Sequence, residues 1–445
     1  MRIAVIVDSP ARDLQACTLI CAELSRNHDC YLISFSNASL EIFQLWPDLV
    51  LLNYIRSTNE GLINKLIQCG IAYSVLDTEG GVHMDIPNTN ETTYTMTLTQ
   101  DPRIRDNICQ YFVWGELLCH NLIQRNIFQA HKIHCLGTPR MDFFSQPLVK
   151  SINNSLSINY LSRPMILINT SFAGNNPRYS TKAGEMNSLI KTFNYSVQFI
   201  NTFFEGLDKA LEGYIDLTLF LAKSFPEVDF IVRPHPFEDE KIYISKFENY
   251  PNIKVIQTGT SGEWLLKAKA LIHFQCTTAI EAGFLNIPVF SLAEFDHVRP
   301  LKMVESISDA SSSNLEMKEK ILSVLNNSYQ FPQSFHSNLK SIEPQLFYRV
   351  DGLAYQRIAA AINRAELEVK KNKKGITFLF SLIYSLYFGG RACMKYIYRG
   401  TLIPESKKIN YSYLSAFILR LSEAKPGLSV CCKKLPFSNI YKISK

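Results

Sequence analysis

The chain has 445 residues, which is longer than a single hydrophobic core usually allows, so we expect two core-forming domains and an appendage. Its 11 cysteines include no C-x-x-C pair, and several lie in apolar runs, which argues against a disulfide framework and favours reduced thiols in the cytosol. The formal net charge is +6, and no apolar run reaches the roughly 18 residues needed to span a bilayer.

Short apolar strands alternate with helical patterns in the first third of the chain. The run Ile3–Val7 follows one basic residue and ends at Asp8, which predicts a first β-strand and not a signal peptide. Helical patterns at Leu14–Arg26 and Thr58–Gln68 separate the strands. This alternation predicts a parallel sheet in a Rossmann-like domain over residues 1–145. Its further predicted strands are Cys30–Phe35, Leu49–Asn53, Tyr73–Leu76, Tyr111–Val113 and Lys132–Leu136.

A second series of strands and helices follows a polar linker at residues 146–163 and predicts another Rossmann-like domain over 164–350. Helical patterns lie at Asp216–Ser224 and Thr278–Leu285. We interpret a long insertion, residues 171–214, as a loop with a helix near the ligand cleft. The fold class is therefore α/β, with two doubly wound domains that face a cleft. The predicted strands of the second domain are Met165–Ile168, Asp229–Val232, Ile253–Ile256, Ala270–Phe274 and Val289–Leu292.

The end of the chain is basic and apolar. The pattern Ala354–Lys370 predicts an amphipathic helix, over residues 351–369, that closes the globular part. Residues 370–445 have 15 Lys or Arg and two acids, a charge of +13, which leaves −7 for the rest of the chain. Basic clusters flank an aromatic-rich segment of this tail, a composition typical of proteins that bind anionic membrane surfaces. We expect a protein at the cytoplasmic face of the inner membrane. The alternative is a helix docked on the protein's own body.

Two acids and two glycines follow the strand that ends at Leu76. Asp77, Glu79, Gly80 and Gly81 emerge at the edge of the first sheet where α/β proteins bind ligands. A carboxylate held there takes a proton from an incoming hydroxyl or shields the positive charge that develops at a sugar's anomeric carbon. In the alternative interpretation, Asp77 is a turn residue that bonds to its own backbone.

Two further polar residues, Asp8 and Arg12, follow the first predicted strand. At this position they are expected to line the cleft. The alternative is that they cap the following helix, as residues of a first βα loop often do.

A stiff cationic turn follows the predicted strand Asp229–Val232. It is formed by Arg233, Pro234, His235 and Pro236, and the two prolines fix the backbone so that His235 is presented with little freedom to lose. An arginine and a histidine at a strand end suit a phosphate. The alternative is that His235 only caps a neighbouring carbonyl.

The strand Ala270–Phe274 runs into a second candidate phosphate site. Gln275, Thr277 and Thr278 stand at the start of a helix, where free backbone amides and hydroxyls bind anions. Glu281 also belongs to this group. The alternative is an ordinary threonine N-cap with Glu281 completing a capping box.

The sequence predicts no metal and no cofactor. His131 and His134 form an H-x-x-H pattern, but no carboxylate or cysteine constellation accompanies them. No D-x-D motif, G-x-G-x-x-G fingerprint, P-loop or G-x-S-x-G motif occurs. The basic excess lies in an apolar tail without a nucleic-acid-binding module, so nucleic acid is not an expected partner.

Six motifs together resemble those of bacterial surface carbohydrate biosynthesis proteins, which look like GT-B glycosyltransferases. The resemblance covers roughly residues 1–350, and it extends more distantly to bacterial sialyltransferases and to the Kdo transferases of capsule and lipopolysaccharide synthesis. In chain order the motifs are Leu76–Gly80, Phe112–Glu116, Leu136–Asp142, Ile166–Thr170, Arg233–Pro236 and Thr277–Ala282.

The resemblance implies a site and a donor. Asp77 or Glu79 matches the acidic motif with its catalytic carboxylate, His235 matches the histidine that contacts the phosphate of a CMP-sugar, and the pair Thr277 and Thr278 matches the hydroxyl pair. The motif here is D-x-E-G instead of two adjacent acids before the glycine. This departure leaves the identity of the carboxylate open between Glu79, which directly precedes the glycine, and Asp77.

The resemblance favours a glycosyltransferase that moves a CMP-activated acidic sugar, without a metal, onto a surface glycan or lipid-linked acceptor. The products would belong to lipopolysaccharide, capsule or related polysaccharides. A sugar-nucleotide epimerase or hydrolase, or a CDP-glycerol glycerophosphotransferase, is the alternative enzyme. The remaining alternative is a membrane-tethered scaffold without catalysis.

Overall fold

The computed structural model describes residues 1–81, 92–153, 163–193, 195–372, 407–436 and 438–445, and five isolated positions between 383 and 394. The chain divides into two compact units. The first unit comprises Met1–Gly81, Thr97–Ser155 and Glu343–Lys445, and the second comprises Val82–Met96 and Leu156–Ile342.

The first eleven strands of the described residues lie close to the positions that the apolar runs predict, because each run ends where polar or turn residues begin. The last three strands were not predicted. In chain order the strands are β1 (Arg2–Val7), β2 (Asp29–Ser34), β3 (Leu49–Leu52), β4 (Ala72–Leu76), β5 (Tyr111–Val113), β6 (Ile133–Cys135), β7 (Met165–Asn169), β8 (Asp229–Arg233), β9 (Ile253–Val255), β10 (Ala270–His273), β11 (Val289–Leu292), β12 (Asp309–Ser311), β13 (Cys431–Lys434) and β14 (Ile440–Ser444).

The helices pack between and beside these strands. Several begin with a side-chain cap, as Ser313 does by accepting a hydrogen bond from the backbone N–H of Glu316. In chain order they are α1 (Pro10–Leu24), α2 (Ala38–Leu45), α3 (Glu60–Gln68), α4 (Pro102–Asn107), α5 (Glu116–Gln124), α6 (Val149–Asn153), α7 (Lys182–Phe193), α8 (Val197–Ser224), α9 (Lys241–Phe247), α10 (Ser261–Leu265), α11 (Thr278–Phe284), α12 (Ala293–Asp296), α13 (Lys302–Glu305), α14 (Asn314–Leu325), α15 (Phe335–Phe347), α16 (Ala354–Asn372) and α17 (Tyr411–Ala424).

Each unit contains one sheet. The sheet of the first unit has the strand order β13-β14-β2-β1-β3-β4-β5-β6, and that of the second unit has the order β12-β11-β10-β7-β8-β9. Strands β1 to β6 pair in parallel, as do β7 to β12. The prediction of two doubly wound α/β domains is therefore confirmed. Because the strands of each parallel set point the same way, their carboxyl ends lie at one edge of the sheet.

The C-terminal segment differs from the separate tail predicted from residue 370. Strand β14 pairs antiparallel with β2, and β13 pairs with β14, so both extend the sheet of the first unit. Ile440 and Ile443 are buried there, and Leu421 of α17 is also buried. Residues 407–445 thus belong to the first unit, since their apolar side chains are buried on it. The segment predicted to contact a membrane, residues 373–406, lies outside the described residues except for the five isolated positions.

The predicted insertion at 171–214 is a loop followed by α7 and by the first part of α8. The loop packs against the turn after β8, where the N–H of Arg178 donates to the carbonyl of Phe237 and the N–H of Asp239 donates to the carbonyl of Asn176. The insertion therefore borders the strand end that carries the Arg-Pro-His-Pro turn.

The ten cysteines that the structure describes are free thiols, of which Cys17, Cys21, Cys30 and Cys69 are buried. Within the described residues, no helix combines the length and the apolar character that crossing a membrane requires.

Candidate functional site

The polar residues that follow β1, β3 and β4 lie at one edge of the first unit's sheet, because these three strands are parallel neighbours. Asp77 follows β4 directly and is buried, with 2% of its surface exposed. Its Oδ1 accepts the backbone N–H of Glu79 at 2.7 Å, and its Oδ2 accepts the hydroxyl of Tyr111 at 3.4 Å. The indole N–H of Trp114 donates to the Asp77 carbonyl at 2.6 Å. The carboxylate of Asp77 thus holds the turn that carries Glu79.

Glu79 is the more accessible carboxylate of the pair. Its Oε1 accepts a hydrogen bond from Arg12 Nη1 at 3.1 Å, and its Oε2 forms an ion pair with Arg56. Burial by itself would raise the pKa of the Glu79 carboxyl, but the charges and hydrogen bonds of Arg56 and Arg12 outweigh it and lower that pKa. Glu79 is therefore ionised at neutral pH.

Asp8 and Arg12 belong to the same cluster. The Asp8 carboxylate accepts a hydrogen bond from Lys407 Nζ at 2.8 Å, and Arg12 Nη2 lies 3.6 Å from it. Arg12 also donates to Asp13 and to Thr78. The structure thus brings Asp8, Arg12 and Glu79 together in one network of alternating charges.

The two glycines pack against an aromatic ring. A Cβ at Gly80 would lie 3.2 Å from the side chains of Trp114 and Leu118, and one at Gly81 would lie 3.5 Å from Trp114. The absence of a side chain lets the chain after Glu79 run close to the indole.

In the second unit, Arg233 ends β8 and holds the next loop. Its guanidinium donates to the carbonyls of Thr258 at 2.5 Å and Gly259 at 2.9 Å, and it lies 5.3 Å from the centre of the Trp264 ring. Burial lowers the pKa of Arg233 to about 10, although the nearby carboxylate of Glu263 opposes this shift. The group remains positively charged at neutral pH.

The turn after Arg233 is built around the buried carboxylate of Glu238. Its Oε1 accepts the backbone N–H of His235 at 3.0 Å and that of Phe172 at 2.8 Å. Both carboxylate oxygens accept from the Thr170 hydroxyl, and Oε2 accepts the Tyr243 hydroxyl at 2.6 Å. Burial raises the pKa of Glu238, and these hydrogen bonds partly offset the shift. One side chain thus fixes the ends of β7 and β8 together.

His235 is half-buried, and Pro236 beside it is exposed. The Nδ1 of His235 accepts the backbone N–H of Phe237 at 3.3 Å, so the neutral ring has its proton on Nε2, where it acts as a donor. The carbonyl of His235 accepts hydrogen bonds from Glu238 and from Gln257. The imidazole of His235 therefore projects from a turn whose backbone is held by hydrogen bonds at both the N–H and the carbonyl of His235.

The residues after β10 have different environments. Gln275 is buried in a left-handed conformation with φ of 41°; its amide nitrogen donates to Asp296, and its oxygen accepts the backbone N–H of Leu301. Its backbone carbonyl accepts Arg299 Nη2 at 2.6 Å, and the same nitrogen donates to the Ser171 hydroxyl. The side chain of Gln275 thus holds the segment after β11, while Arg299 joins the ends of β7 and β10.

Thr277 and Thr278 also differ from each other. Thr277 is exposed and makes no capping hydrogen bond at the start of α11. The Thr278 hydroxyl is buried and accepts the side-chain N–H of Asn169 at 2.8 Å. Glu281 is buried and accepts the Ser261 hydroxyl at 2.6 Å. A threonine cap with a Glu281 capping box therefore does not form.

Sequence reasoning missed four residues that complete these strand ends: Arg56, Lys407, Glu238 and Arg299. Arg56 follows β3, so the rule that singled out Asp77 and His235 would also have found it. Glu238 lies three residues after His235, at a spacing that allows a carboxylate to reach back to a turn amide. The positions of Lys407 and Arg299 in the chain give no local signal.

Within the residues that the structure describes, no group of three or more His, Cys, Asp or Glu side chains is placed to hold a metal ion. His131 and His134 line a cavity at the opposite edge of the first sheet.

Comparison with known proteins identifies the fold. No protein-family model matches the chain, and no curated protein matches its sequence. Among solved structures, the Methanocaldococcus jannaschii UDP-GlcNAc 2-epimerase in complex with UDP-GlcNAc and UDP has a TM-score of 0.50 at 13% identity, over 82% of this chain and 100% of that one. The S. aureus MnaA–UDP structure has a TM-score of 0.50 at 12% identity, over 83% and 97%. The wall teichoic acid polymerase TagF H548A has a TM-score of 0.51 at 12% identity, over 84% and 90%. The chain therefore has the α/β fold of these GT-B-type enzymes.

Proposed function

We propose that the protein is a sugar-nucleotide enzyme and, within that class, a glycosyltransferase. It moves an acidic sugar from a CMP donor onto a surface glycan or lipid-linked acceptor of lipopolysaccharide, capsule or a related polysaccharide. The observation that carries this proposal is the turn after β8, where buried Glu238 fixes the backbone that presents His235. The fold shared with UDP-GlcNAc 2-epimerases and with TagF supports the broader class.

The second unit supplies positive charge for a leaving phosphate. In the transfer, the bond between the anomeric carbon and the phosphate oxygen breaks, and the nucleotide monophosphate departs with the bonding electrons. The Nε2–H of His235 donates to that phosphate, and Arg233, which remains charged, adds a positive field nearby. The exposed Thr277 hydroxyl adds a donor at the start of α11. Gln275, Thr278, Glu281 and Pro236 shape these loops instead of donating to the phosphate.

The first unit supplies the carboxylate. Glu79 is the proposed catalytic residue, and Asp77 is the residue that positions its turn. The acceptor oxygen bonds to the anomeric carbon, and its proton passes to Glu79. The lowered pKa keeps Glu79 ionised and able to accept a proton, but it also weakens the carboxylate as a base. The same charge suits the shielding of an oxocarbenium-like centre.

Membrane association is the remaining part of the proposal. Four apolar residues described within 383–394 are each more than half exposed: Ile383, Leu386, Tyr387 and Met394. Their spacing places the first three on one helical face, and basic clusters flank the segment in sequence. We propose that this segment brings the enzyme to an anionic leaflet at the cytoplasmic face of the inner membrane, where a lipid-linked acceptor resides.

A nucleotide panel tests the donor. Because a ligand stabilises the native state by mass action, thermal unfolding is measured with CMP, CDP, UDP and GDP. The proposal expects the largest shift with CMP, and it expects release of CMP from a CMP-sugar only when an acceptor glycan is present. Turnover is expected to persist in EDTA. A preference for UDP with no response to CMP overturns the donor assignment.

Two substitutions with matched controls test the residues. His235→Ala is expected to lower kcat about 10²-fold or more, the size typical for loss of one donor to a developing charge. The control is His336→Ala, which changes an exposed histidine on α15. Glu79→Gln is expected to abolish transfer, with Glu423→Gln, an exposed glutamate on α17 of the same unit, as its control. Full activity in His235→Ala or Glu79→Gln, with cooperative unfolding retained, would refute the assignments.

A UDP-sugar 2-epimerase is the second candidate function. Two structures with this fold are UDP-GlcNAc 2-epimerases, and a third is a complex of MnaA with UDP. This candidate function predicts acceptor-independent conversion of UDP-GlcNAc, detected by NMR of the sugar ring protons. Transfer of glycerol phosphate from CDP-glycerol would instead release CMP from that donor. Tight nucleotide binding with unchanged cellular function of Glu79→Gln would favour a scaffold.

A further inference from the structure

A cavity of about 400 Å³ opens in the first unit at the amino ends of β5 and β6. Its walls come from three separate segments of the chain: residues 106–110 before β5, the residues around the start of β6, and α16. The H-x-x-H pattern belongs to the second of these walls. A cavity of this volume accommodates a small metabolite.

Two cationic and two imidazole side chains converge on this cavity. Lys132, His131 and His134 approach from the start of β6, and Arg364 approaches from α16. Lys132 Nζ donates to the backbone carbonyl of Asp106 at 2.7 Å, so the ammonium charge is held without being neutralised there by a carboxylate. Among the side chains that the structure describes, none forms an ion pair with Arg364. The cavity also holds one carboxylate, that of Asp106.

The environment of His134 reflects this excess of positive charge. Its ring is half-buried, with its centre 5.8 Å from that of Phe112. Burial lowers the pKa of His134, and the positive charges of Arg364 and His131 lower it further. An anion among these groups would reverse the mutual repulsion and draw a proton onto the imidazole.

The cavity is separate from the site proposed for catalysis. Strands β4, β5 and β6 are parallel, and the cavity lies where β5 and β6 begin, whereas Glu79 lies just beyond the end of β4. The two places are therefore at opposite edges of one sheet, separated by the length of the strands. A phosphate group bound in the cavity therefore lies at the other edge of the sheet from Glu79.

We propose that this cavity binds the phosphate group of a small phosphorylated molecule, held by Arg364, Lys132, His131 and His134. A phosphate dianion matches the number of donors better than a single carboxylate, and a metal cation would be repelled by the same groups. The proposal does not depend on the function proposed above.

Calorimetric titration of the full chain with pyrophosphate tests the proposal. Arg364→Ala removes one charge-assisted hydrogen bond and is expected to weaken binding about tenfold or more. His131→Ala is expected to weaken it as well. The matched control is Lys150→Ala, which removes an exposed cation from α6, on the same unit but outside the cavity. Absence of pyrophosphate binding, or equal weakening by Lys150→Ala, overturns the proposal.

Two further arms identify where the phosphate is bound and what carries it. Because the turn after β8 is also a proposed phosphate site, the titration is repeated with His235→Ala, and binding is expected to remain. Loss of all binding in that variant assigns the anion to the second unit and overturns the proposal. Inorganic phosphate and glucose 6-phosphate represent soluble ligands, and phosphatidylcholine vesicles with phosphatidic acid represent a lipid headgroup. Binding in either arm that Arg364→Ala abolishes supports the site.

Discussion

Replacing Glu238 by alanine tests the central structural claim about the second unit. The change leaves the backbone amides of His235 and Phe172 without their acceptor, and it removes the partner of the Tyr243 hydroxyl. Each buried donor left unsatisfied costs about 1–3 kcal/mol, while removal of a buried carboxylate relieves part of its desolvation. We expect a net loss of about 4 kcal/mol in the free energy of unfolding.

The assay is denaturation of the full chain, followed by the unfolding of the second unit. For a unit of 150–250 residues, about 4 kcal/mol corresponds to a fall in Tm of roughly 8–16 °C. Glu238→Gln keeps an oxygen for the two amides and is expected to cost about 1–2 kcal/mol. Glu240→Ala is the control, since Glu240 lies two residues further along and its side chain forms a partly exposed ion pair with Arg178 at 3.7 Å.

The pH dependence of the free energy of unfolding gives a second test of the role of Glu238. The folded pKa of Glu238 is raised, so its contribution to stability is complete below the unfolded pKa and is lost as pH rises through the folded pKa. The advantage of wild type over Glu238→Gln is therefore expected to be largest at acid pH and to shrink towards neutrality. If Glu238→Ala were as stable as Glu240→Ala, the role given to Glu238 in fixing the His235 turn would be refuted.

Three further predictions concern the first unit. Arg56→Ala removes a cation that lowers the pKa of Glu79, so the acid limb of the kcat/KM profile is expected to move to higher pH; an unmoved limb would mean that Glu79 does not titrate in that profile. Ile443→Ala, at a fully buried position of β14, is expected to cost about 2–4 kcal/mol by urea denaturation, whereas a loss below about 0.5 kcal/mol would indicate an unattached C-terminal segment. Gly115→Ala would place a Cβ 2.4 Å from the Gln345 carbonyl oxygen, so we expect a loss of folded protein, measured as soluble yield and cooperative unfolding. In the control Gly61→Ala the new Cβ meets nothing within 4 Å, so the free energy of unfolding is expected to be unchanged or to rise by up to about 1 kcal/mol.

The residues of α8 show where local patterns stop being informative. The sequence predicted a helix at Asp216–Ser224 and, separately, a loop with a helix in the insertion at residues 171–214. In the structure one continuous helix runs from Val197 to Ser224 across that boundary. Gly206 and Gly213 weaken the local helical signal, yet each lets another segment approach: a Cβ at Gly206 would lie 3.1 Å from Val298, and one at Gly213 would lie 2.4 Å from Phe295. Packing on this face of the helix outweighs the propensity of its glycines.

Strands β13 and β14 escaped prediction for a related reason. The sequence of β13, Cys-Cys-Lys-Lys, lacks an apolar alternation, and three of its four residues are exposed. Its strand conformation depends on pairing with β14, which in turn pairs with β2, about 400 residues earlier in the chain. Such pairing depends on which sheet edge is open, and the local sequence does not encode that.

The sequence by itself determined the two parallel sheets and the strand ends that carry Asp77–Gly81 and Arg233–Pro236. Continuous apolar runs encode buried strands, and the polar residues that follow them must lie at the carboxyl edge. Only the tertiary structure decided which side chains meet at those edges. Arg12 and Arg56 flank Glu79, Lys407 reaches Asp8, and Glu238 binds the His235 turn. These contacts depend on the order of strands in each sheet and on the return of the C-terminal segment, because residues distant in sequence become neighbours only when strands pair.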